Sequence, residues 1–109
     1  MKIRKLSELP REDVAEHRGF EAQLLVDLSP KGVTLRILKI KPDGIGPVPA
    51  HSHQDGHFFL VLEGTLELEG EGRIHKIPQG SCVELPPHRK HQLRGTEASD
   101  ISVLAVKWS

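Results

Sequence analysis

Apolar residues in this chain come in short runs typical of β-strands. Thr65-Leu66-Glu67-Leu68-Glu69 alternates strictly between polar and apolar side chains, which predicts a strand with one buried face and one wet face. The other strand-like runs are Phe20–Leu28, Val33–Lys41, His57–Leu62, Arg73–Ile77, Ser81–Leu85, His91–Arg94 and Ile101–Trp108.

Glycine and proline stand between these runs. The breaks are at 29–32, 42–44, 63–64, 69–72, 78–80 and 86–87. Proline fixes φ and glycine tolerates a positive φ, so each break is suited to a turn. Short strands at near-regular spacing indicate an all-β sandwich or barrel, and we expect an antiparallel two-sheet β-barrel over residues 20–109.

Residues 1–19 have no obvious place in such a barrel and are predicted to be an N-terminal extension outside it. Only Ser7–His17 has a helical pattern, with Ser7 as the N-cap, although Pro10 argues against a long helix there.

Length and charge narrow the function classes. The chain has 109 residues, enough for one domain, and its 15 Lys and Arg balance 15 Asp and Glu. A neutral chain predicts neither a nucleic-acid nor a membrane partner, and no apolar run has the length of a membrane span or follows the N-terminus as in a signal peptide. The single cysteine, Cys82, favours a reducing cytoplasm and is expected to be buried.

Seven histidines are the unusual feature of the composition. His51 and His53 are two residues apart and project to the same side of an extended chain. His57 begins an apolar strand after a turn-like segment, through which the alternation cannot be followed. His91 begins a later strand. Neutral imidazole suits Zn, Cu, Fe and Ni, and less typically Mn.

The segments around these histidines resemble the two cupin motifs. Gly46, four residues, His51-Ser52-His53, three residues, His57, six residues and Gly64 resemble the first. Gly80, five residues, Pro86-Pro87-His88, two residues and His91 resemble the second. The resemblance implies a jelly-roll β-barrel (double-stranded β-helix) and a metal site.

Four positions depart from the usual motifs. Gly46 is one residue closer to His51, His57 replaces the usual Glu, His88 replaces a glycine, and Gly95 stands where Asn is usual. Carried over by position, the implied ligands are His51, His53, His57 and His91 around one divalent transition metal (Fe, Mn, Ni, Cu, Co or Zn). The resemblance also implies a homodimer, in which Ile3, Leu6, Leu9 and Val14 are the candidate contacts.

A pocket for a small-molecule ligand or substrate is expected beside this site. Phe59 and Val61 share a face with His57 and are candidates for an apolar wall. Arg36 would meet an anionic substrate if its face of the strand points inward, and an outward, solvated Arg36 is an equal alternative. His88 is a candidate for the rim. The other histidines outside the motifs, His17 and His75, are expected to be solvated.

Three functions fit this site. Four neutral imidazoles leave the charge of a divalent ion uncompensated, so an anionic oxygen ligand is favoured, and an octahedral ion would keep two positions open. We favour an oxygen-dependent, dioxygenase-like oxidoreductase on a small anionic or enolisable substrate. The alternatives are a metal-dependent isomerase or lyase and a non-catalytic module that binds a small ligand. A tetrahedral Zn with four histidines would instead be closed and structural.

Overall fold

The computed structural model describes residues 1–96 and 98–109, and for His51 it describes the backbone only. Nine strands make up the fold: β1 Glu12–Asp13, β2 Arg18–Leu28, β3 Val33–His51, β4 Gly56–Glu63, β5 Thr65–Gly70, β6 Arg73–Pro78, β7 Cys82–Leu85, β8 His91–Gly95 and β9 Ile101–Trp108. The only helical segments in the described ranges are two 3-10 turns of three residues, Leu6–Glu8 and Ser29–Lys31. None of these helices is long enough to cross a membrane.

The all-β prediction is confirmed, because the eight predicted runs appear in order as β2 to β9. Every strand pairing is antiparallel, and the strand order is β6-β5-β8-β3-β9-β4-β7, with β2 and β1 added beside the first part of β3. The first sheet contains β1, β2, β3, β9, β4 and β7, and the second contains β3, β8, β5 and β6. Since β3 belongs to both, it joins the two sheets into a nearly closed barrel.

The predicted break at 42–44 is wrong, because β3 continues through Pro42, Asp43 and Gly44. Before the bend, β3 pairs with β2 and β9 as far as Ile40; after it, Ile45 pairs with Arg18 of β2 and with Arg94 of β8. Asp43 takes a positive φ of 62° there, and the register with β2 shifts at the same place. The turn residues therefore bend one strand from the first sheet into the second, as a β-bulge does.

The inner face of the first sheet is built in rows, because residues directly opposite on neighbouring strands project to the same side. From the open end inward, across β3, β9 and β4, the rows are Thr34-Lys107-His57, Arg36-Ala105-Phe59 and Leu38-Val103-Val61. Polarity falls along this series, so the polar residues stand at one end of the barrel and the core fills the other.

The core occupies the deeper rows and the facing strands of the second sheet. Its buried members are Phe20, Leu38, Ile40, Phe59, Val61, Leu66, Leu68, Ile77, Leu93, Ile101 and Val103. At about 25 cal/mol per Å² of buried apolar surface, this cluster supplies the main driving force for folding.

The N-terminal extension does not lie wholly outside the barrel, and the helix predicted over Ser7–His17 is wrong. Glu12 and Asp13 pair with β2, and Val14 packs against the core. The buried side chain of Gln23 donates hydrogen bonds to the carbonyl oxygens of Leu6 (2.8 Å) and Leu9 (3.1 Å), which holds the chain extended after the first 3-10 turn. Association of two copies through residues 1–19 stays a prediction.

The burial predicted for Cys82 is wrong, because Cys82 is exposed. It lies on β7, at one end of the strand order, and the alternation of that strand turns Val83 and Leu85 toward the core. Cys82 and Glu84 consequently face outward.

Candidate metal centre

His57 occupies the outermost inner row of the first sheet, on β4. Lys107 of β9 and Leu85 of β7 lie directly opposite it on the two neighbouring strands. Its ring stacks on that of Phe59, two residues along, with centroids 5.8 Å apart and an interplanar angle of 13°. The apolar strand thus fixes the position of this imidazole against a buried aromatic side chain.

His53 lies in the segment between β3 and β4, which is tied to the segment between β7 and β8. The backbone N–H of His88 donates a hydrogen bond of 2.7 Å to the carbonyl oxygen of His53. His88 itself has an exposed side chain and a φ of 66°, the left-handed conformation that explains the usual glycine at this motif position. Its backbone therefore positions His53, while its side chain points to solvent at the rim.

His91 begins β8 and is only 5% exposed. Its Nδ1–H donates a hydrogen bond of 3.0 Å to the carbonyl oxygen of Arg89. Because a carbonyl oxygen can only accept, the proton lies on Nδ1 and the acceptor nitrogen of the ring is Nε2. Metal-binding histidines commonly have this arrangement, in which the second nitrogen is oriented by a backbone carbonyl.

The structure brings these three imidazoles together. The ring centroids lie 5.2 Å apart for His53–His57, 5.5 Å for His53–His91 and 5.4 Å for His57–His91. Two imidazoles bound to one ion at about 2.1 Å per nitrogen have ring centres about 4.5–5.5 Å apart, so the separation fits a shared ion.

The described side chains alone do not form a ready metal site. Among them, no group of three or more His, Cys, Asp or Glu is arranged to hold an ion as it stands. The fourth predicted ligand, His51, has its side chain outside the described part of the structure. Its backbone is placed, and it lies directly opposite His91 in the pairing of β3 with β8.

The pKa of His57 is lowered to about 4 from the ordinary 6.5. Burial is the largest cause, followed by the charges of His91, His53 and Lys107, and the Asp55 carboxylate acts weakly in the opposite direction. His57 is therefore neutral at physiological pH, which is the protonation state that a metal ligand needs.

This pKa predicts how the metal-free chain responds to acid. Because the folded pKa lies below the unfolded value of 6.5, neutral His57 favours the folded state above pH 6.5, and this stability is lost as pH falls toward about 4. In chelator, the urea midpoint of the parent should fall more steeply with decreasing pH than that of His57→Gln, which cannot titrate. Parallel curves for the two proteins would contradict the depressed pKa.

The histidines lie in the wall of a cavity of ≈ 390 Å³, within the usual range of small-molecule sites, about 300–1,000 Å³. Its wall also contains Glu12, Asp13, Val14, Ala15, Glu16, His17, Ala22, Arg36, Leu38, Pro47, Phe59, Leu93, Ala105, Val106 and Lys107. The face of β3 that bears Arg36 therefore points inward. Val61 is fully buried in the core and is not part of the cavity wall.

Several wall residues were not expected from the sequence, and His17 and Lys107 are two of them. His17, predicted to be solvated, is half-buried: its ring lies 4.7 Å from that of Phe20, and a Cβ on Gly46 would come within 2.1 Å of it. No local pattern predicts this contact, because it joins the extension to β3. The sequence could have identified Lys107 as a wall residue, since the alternation of β9 puts it on the same face as Val103.

The described geometry agrees with a comparison to protein families. The family model for the cupin domain, Cupin_2, matches residues 36–107. The chain belongs to the cupin family. The match begins at Arg36 and includes both motifs that carry the histidines. It leaves the N-terminal extension outside.

Solved structures show the same fold over almost the whole chain. The polyketide cyclase RemF of Streptomyces resistomycificus is similar with a TM-score of 0.87 and 23% identity, over 99% of this chain and 79% of that one. A predicted oxalate decarboxylase of Thermotoga maritima has a TM-score of 0.85 and 20% identity, over 98% of each chain. A cupin-superfamily sugar phosphate isomerase of Silicibacter pomeroyi has a TM-score of 0.80 and 19% identity, over 96% of this chain and 74% of that one. These similarities confirm the jelly-roll cupin barrel.

A curated relative covers less of the chain. It is an uncharacterized HTH-type transcriptional regulator, YobQ, of Bacillus subtilis (strain 168), 33% identical over 57 residues, which are 52% of this chain. The 57 matched residues are 24% of that protein, so the match spans about a quarter of its length.

Proposed function

We propose that this cupin binds one divalent transition metal through His51, His53, His57 and His91 and acts on a small anionic or enolisable substrate in an oxygen-dependent, dioxygenase-like reaction. The observation that carries the proposal is the approach of three imidazoles to within 5.2–5.5 Å of one another in the wall of the cavity.

The residues of the chain have distinct parts in this proposal. His91 presents Nε2 because its Nδ1–H donates a hydrogen bond to the Arg89 carbonyl oxygen, and His57 is held neutral by burial. A bound metal would supply Lewis acidity and, if redox-active, electron exchange with oxygen. Leu38 and Phe59, which also line the cavity, keep water from its inner end.

Chain purified without chelators is expected to hold about one metal ion per chain by elemental analysis, because a ligand set of four neutral imidazoles favours transition metals. On a panel of β-diketones and catechols, it should consume oxygen in step with substrate. His75→Ala, which removes an exposed histidine of β6, serves as the matched control and should retain metal and activity. A metal-free parent would contradict the proposal, and anaerobic turnover with Zn or Mn would support the isomerase or lyase alternative instead.

A second candidate is a binding module that senses a small anion without converting it. The similarity to a transcriptional regulator supports this alternative, although the matched region is only a quarter of that protein. The two functions differ in the fate of the ligand. If a compound of the panel saturates the metal-loaded chain in air and is then recovered unchanged, sensing is favoured. If the compound is lost while oxygen is taken up, catalysis is favoured.

A further inference from the structure

A cationic side chain lies in the cavity wall with few partners. Arg36 is partly buried, and Nη1 donates a hydrogen bond of 2.7 Å to Oγ1 of Thr34, two residues away on the same face. Among the described residues, no carboxylate lies within ion-pair distance of Arg36. A guanidinium has five N–H donors, so most of the hydrogen-bonding capacity of Arg36 is not used within the described chain.

None of the acidic side chains near Arg36 forms an ion pair with it in the described part of the chain. Asp27 has a lowered pKa, caused first by hydrogen bonds from the Ser29 hydroxyl and backbone N–H and last by the Arg36 charge. Glu12, Asp13 and Glu16 also line the cavity, but none of them forms an ion pair with Arg36. A partly buried guanidinium without a carboxylate partner is suited to receive an anion from outside the chain.

Lys107 adds a second positive charge to the same wall. It lies directly opposite His57 and directly opposite Thr34 on its two neighbouring strands, so it stands between the imidazoles and the residue that orients Arg36. Its Nζ is 3.7 Å from Oδ2 of Asp55, and its side chain is 47% exposed. Such an open ion pair contributes little stability and leaves the ammonium able to bind a second acceptor.

The register sets the spacing between these groups. Arg36 is one row deeper than His57 and two strands away, a distance of about 10 Å across two inter-strand spacings before side-chain length is considered. The guanidinium of Arg36 lies against Thr34 on its own strand, so it does not fill the space between that strand and the histidines. That space fits a molecule of a few carbons, in agreement with a cavity of ≈ 390 Å³.

We propose that Arg36 and Lys107 determine substrate specificity by binding a second acidic group, so that the substrate of this site is a small organic dianion. One acidic group lies at the histidines and the other at the Arg36–Lys107 pair. This inference rests on the proposed function, because the first anchor is the metal held by the histidines. It selects dicarboxylates, or carboxylates bearing a phosphate, over ligands of the same size that have a single acidic group.

The test compares ligands that differ by one charge. Succinate and glutarate, each beside its mono-amide of equal size, are titrated calorimetrically into metal-loaded chain. The parent should bind each dianion about tenfold or more tightly than its mono-amide, since a charge-assisted pair of hydrogen bonds is lost in the amide. Arg36→Gln and Lys107→Gln should bring this ratio close to one while their metal content is unchanged.

Controls separate specificity from folding and from metal binding. Arg73→Gln changes an exposed arginine of β6, outside the cavity wall, and should keep the ratio of the parent. Arg36→Lys keeps the charge without the planar fork and should retain part of the preference. Equal binding of dianion and mono-amide by the metal-loaded parent would overturn the inference and leave the metal site standing.

A parent that holds no metal would overturn the proposed function, and the cationic pair would then be tested alone. Inorganic phosphate is titrated into the metal-free parent and into the two glutamine variants. Binding that is lost in Arg36→Gln and Lys107→Gln would support an anion site independent of the metal. Phosphate that binds the parent and both variants equally, or binds none of them, would overturn the inference.

Discussion

Replacing His91 with alanine is expected to reduce metal content from about one ion per chain to near zero. His91 is the most deeply buried of the described imidazoles, and its Nε2 is oriented by the hydrogen bond to the Arg89 carbonyl. Because metal binding contributes directly to folding free energy, the melting temperature should also fall. Elemental analysis and thermal unfolding with and without chelator measure both effects.

His88→Ala is the matched control for this substitution. His88 is three residues away in sequence but has an exposed side chain, and only its backbone contacts the site, through the carbonyl of His53. Its replacement should leave metal content unchanged. Full occupancy in His91→Ala, or no change in the melting temperature of the parent on adding chelator, would contradict the four-histidine centre.

The fold could be predicted because its signals are local. Strict alternation in 65–69 and turn residues between short apolar runs determine the strands. Each run appears as a strand at nearly the predicted bounds, except that β3 continues ten residues past its predicted end at Lys41. The approach of the histidines was expected from the resemblance to the cupin motifs and not from their spacing alone. His53, His57 and His91 come from a loop and two strands, and the family motif connects them where strand parity alone could not.

Other features depend on contacts between distant parts of the chain. Residues 12–17 form part of the cavity wall because Glu12 and Asp13 pair with β2 and the Val48 N–H donates to the Glu16 carbonyl at 2.7 Å. No short-range pattern in the sequence predicts either contact. The inward position of Arg36 could be predicted only in part. The alternation of β3 defines which residues share its face, and only the packing of Leu38 and Ile40 shows that this face is the inner one.

The bend in β3 explains one of the departures from the usual cupin motif. Pro42, Asp43 and Gly44 bend the strand without ending it, and the Lys41 carbonyl comes close to β8 there. A Cβ on Gly95 would lie 2.5 Å from that carbonyl oxygen and 2.8 Å from Cγ2 of Ile40. Glycine at this position, where Asn is usual, is therefore required by the close approach of a neighbouring backbone.

Gly95→Asn, which introduces the usual family residue, is expected to destabilise the fold by about 2–3 kcal/mol, because overpacking against backbone cannot be relieved by a rotamer change. At about 4–8 °C per kcal/mol for a domain near this size, the melting temperature should fall by about 10–20 °C. Gly95→Ala should give most of this loss, since its Cβ alone makes the contact with the Lys41 oxygen. Gly70→Ala is the control: its Cβ would be 3.3 Å from a terminal methyl of the Leu68 side chain and not against backbone at that distance, so a small change is expected. Equal melting temperatures for the Gly95 and Gly70 variants would show that β3 can move away from β8 at its bend.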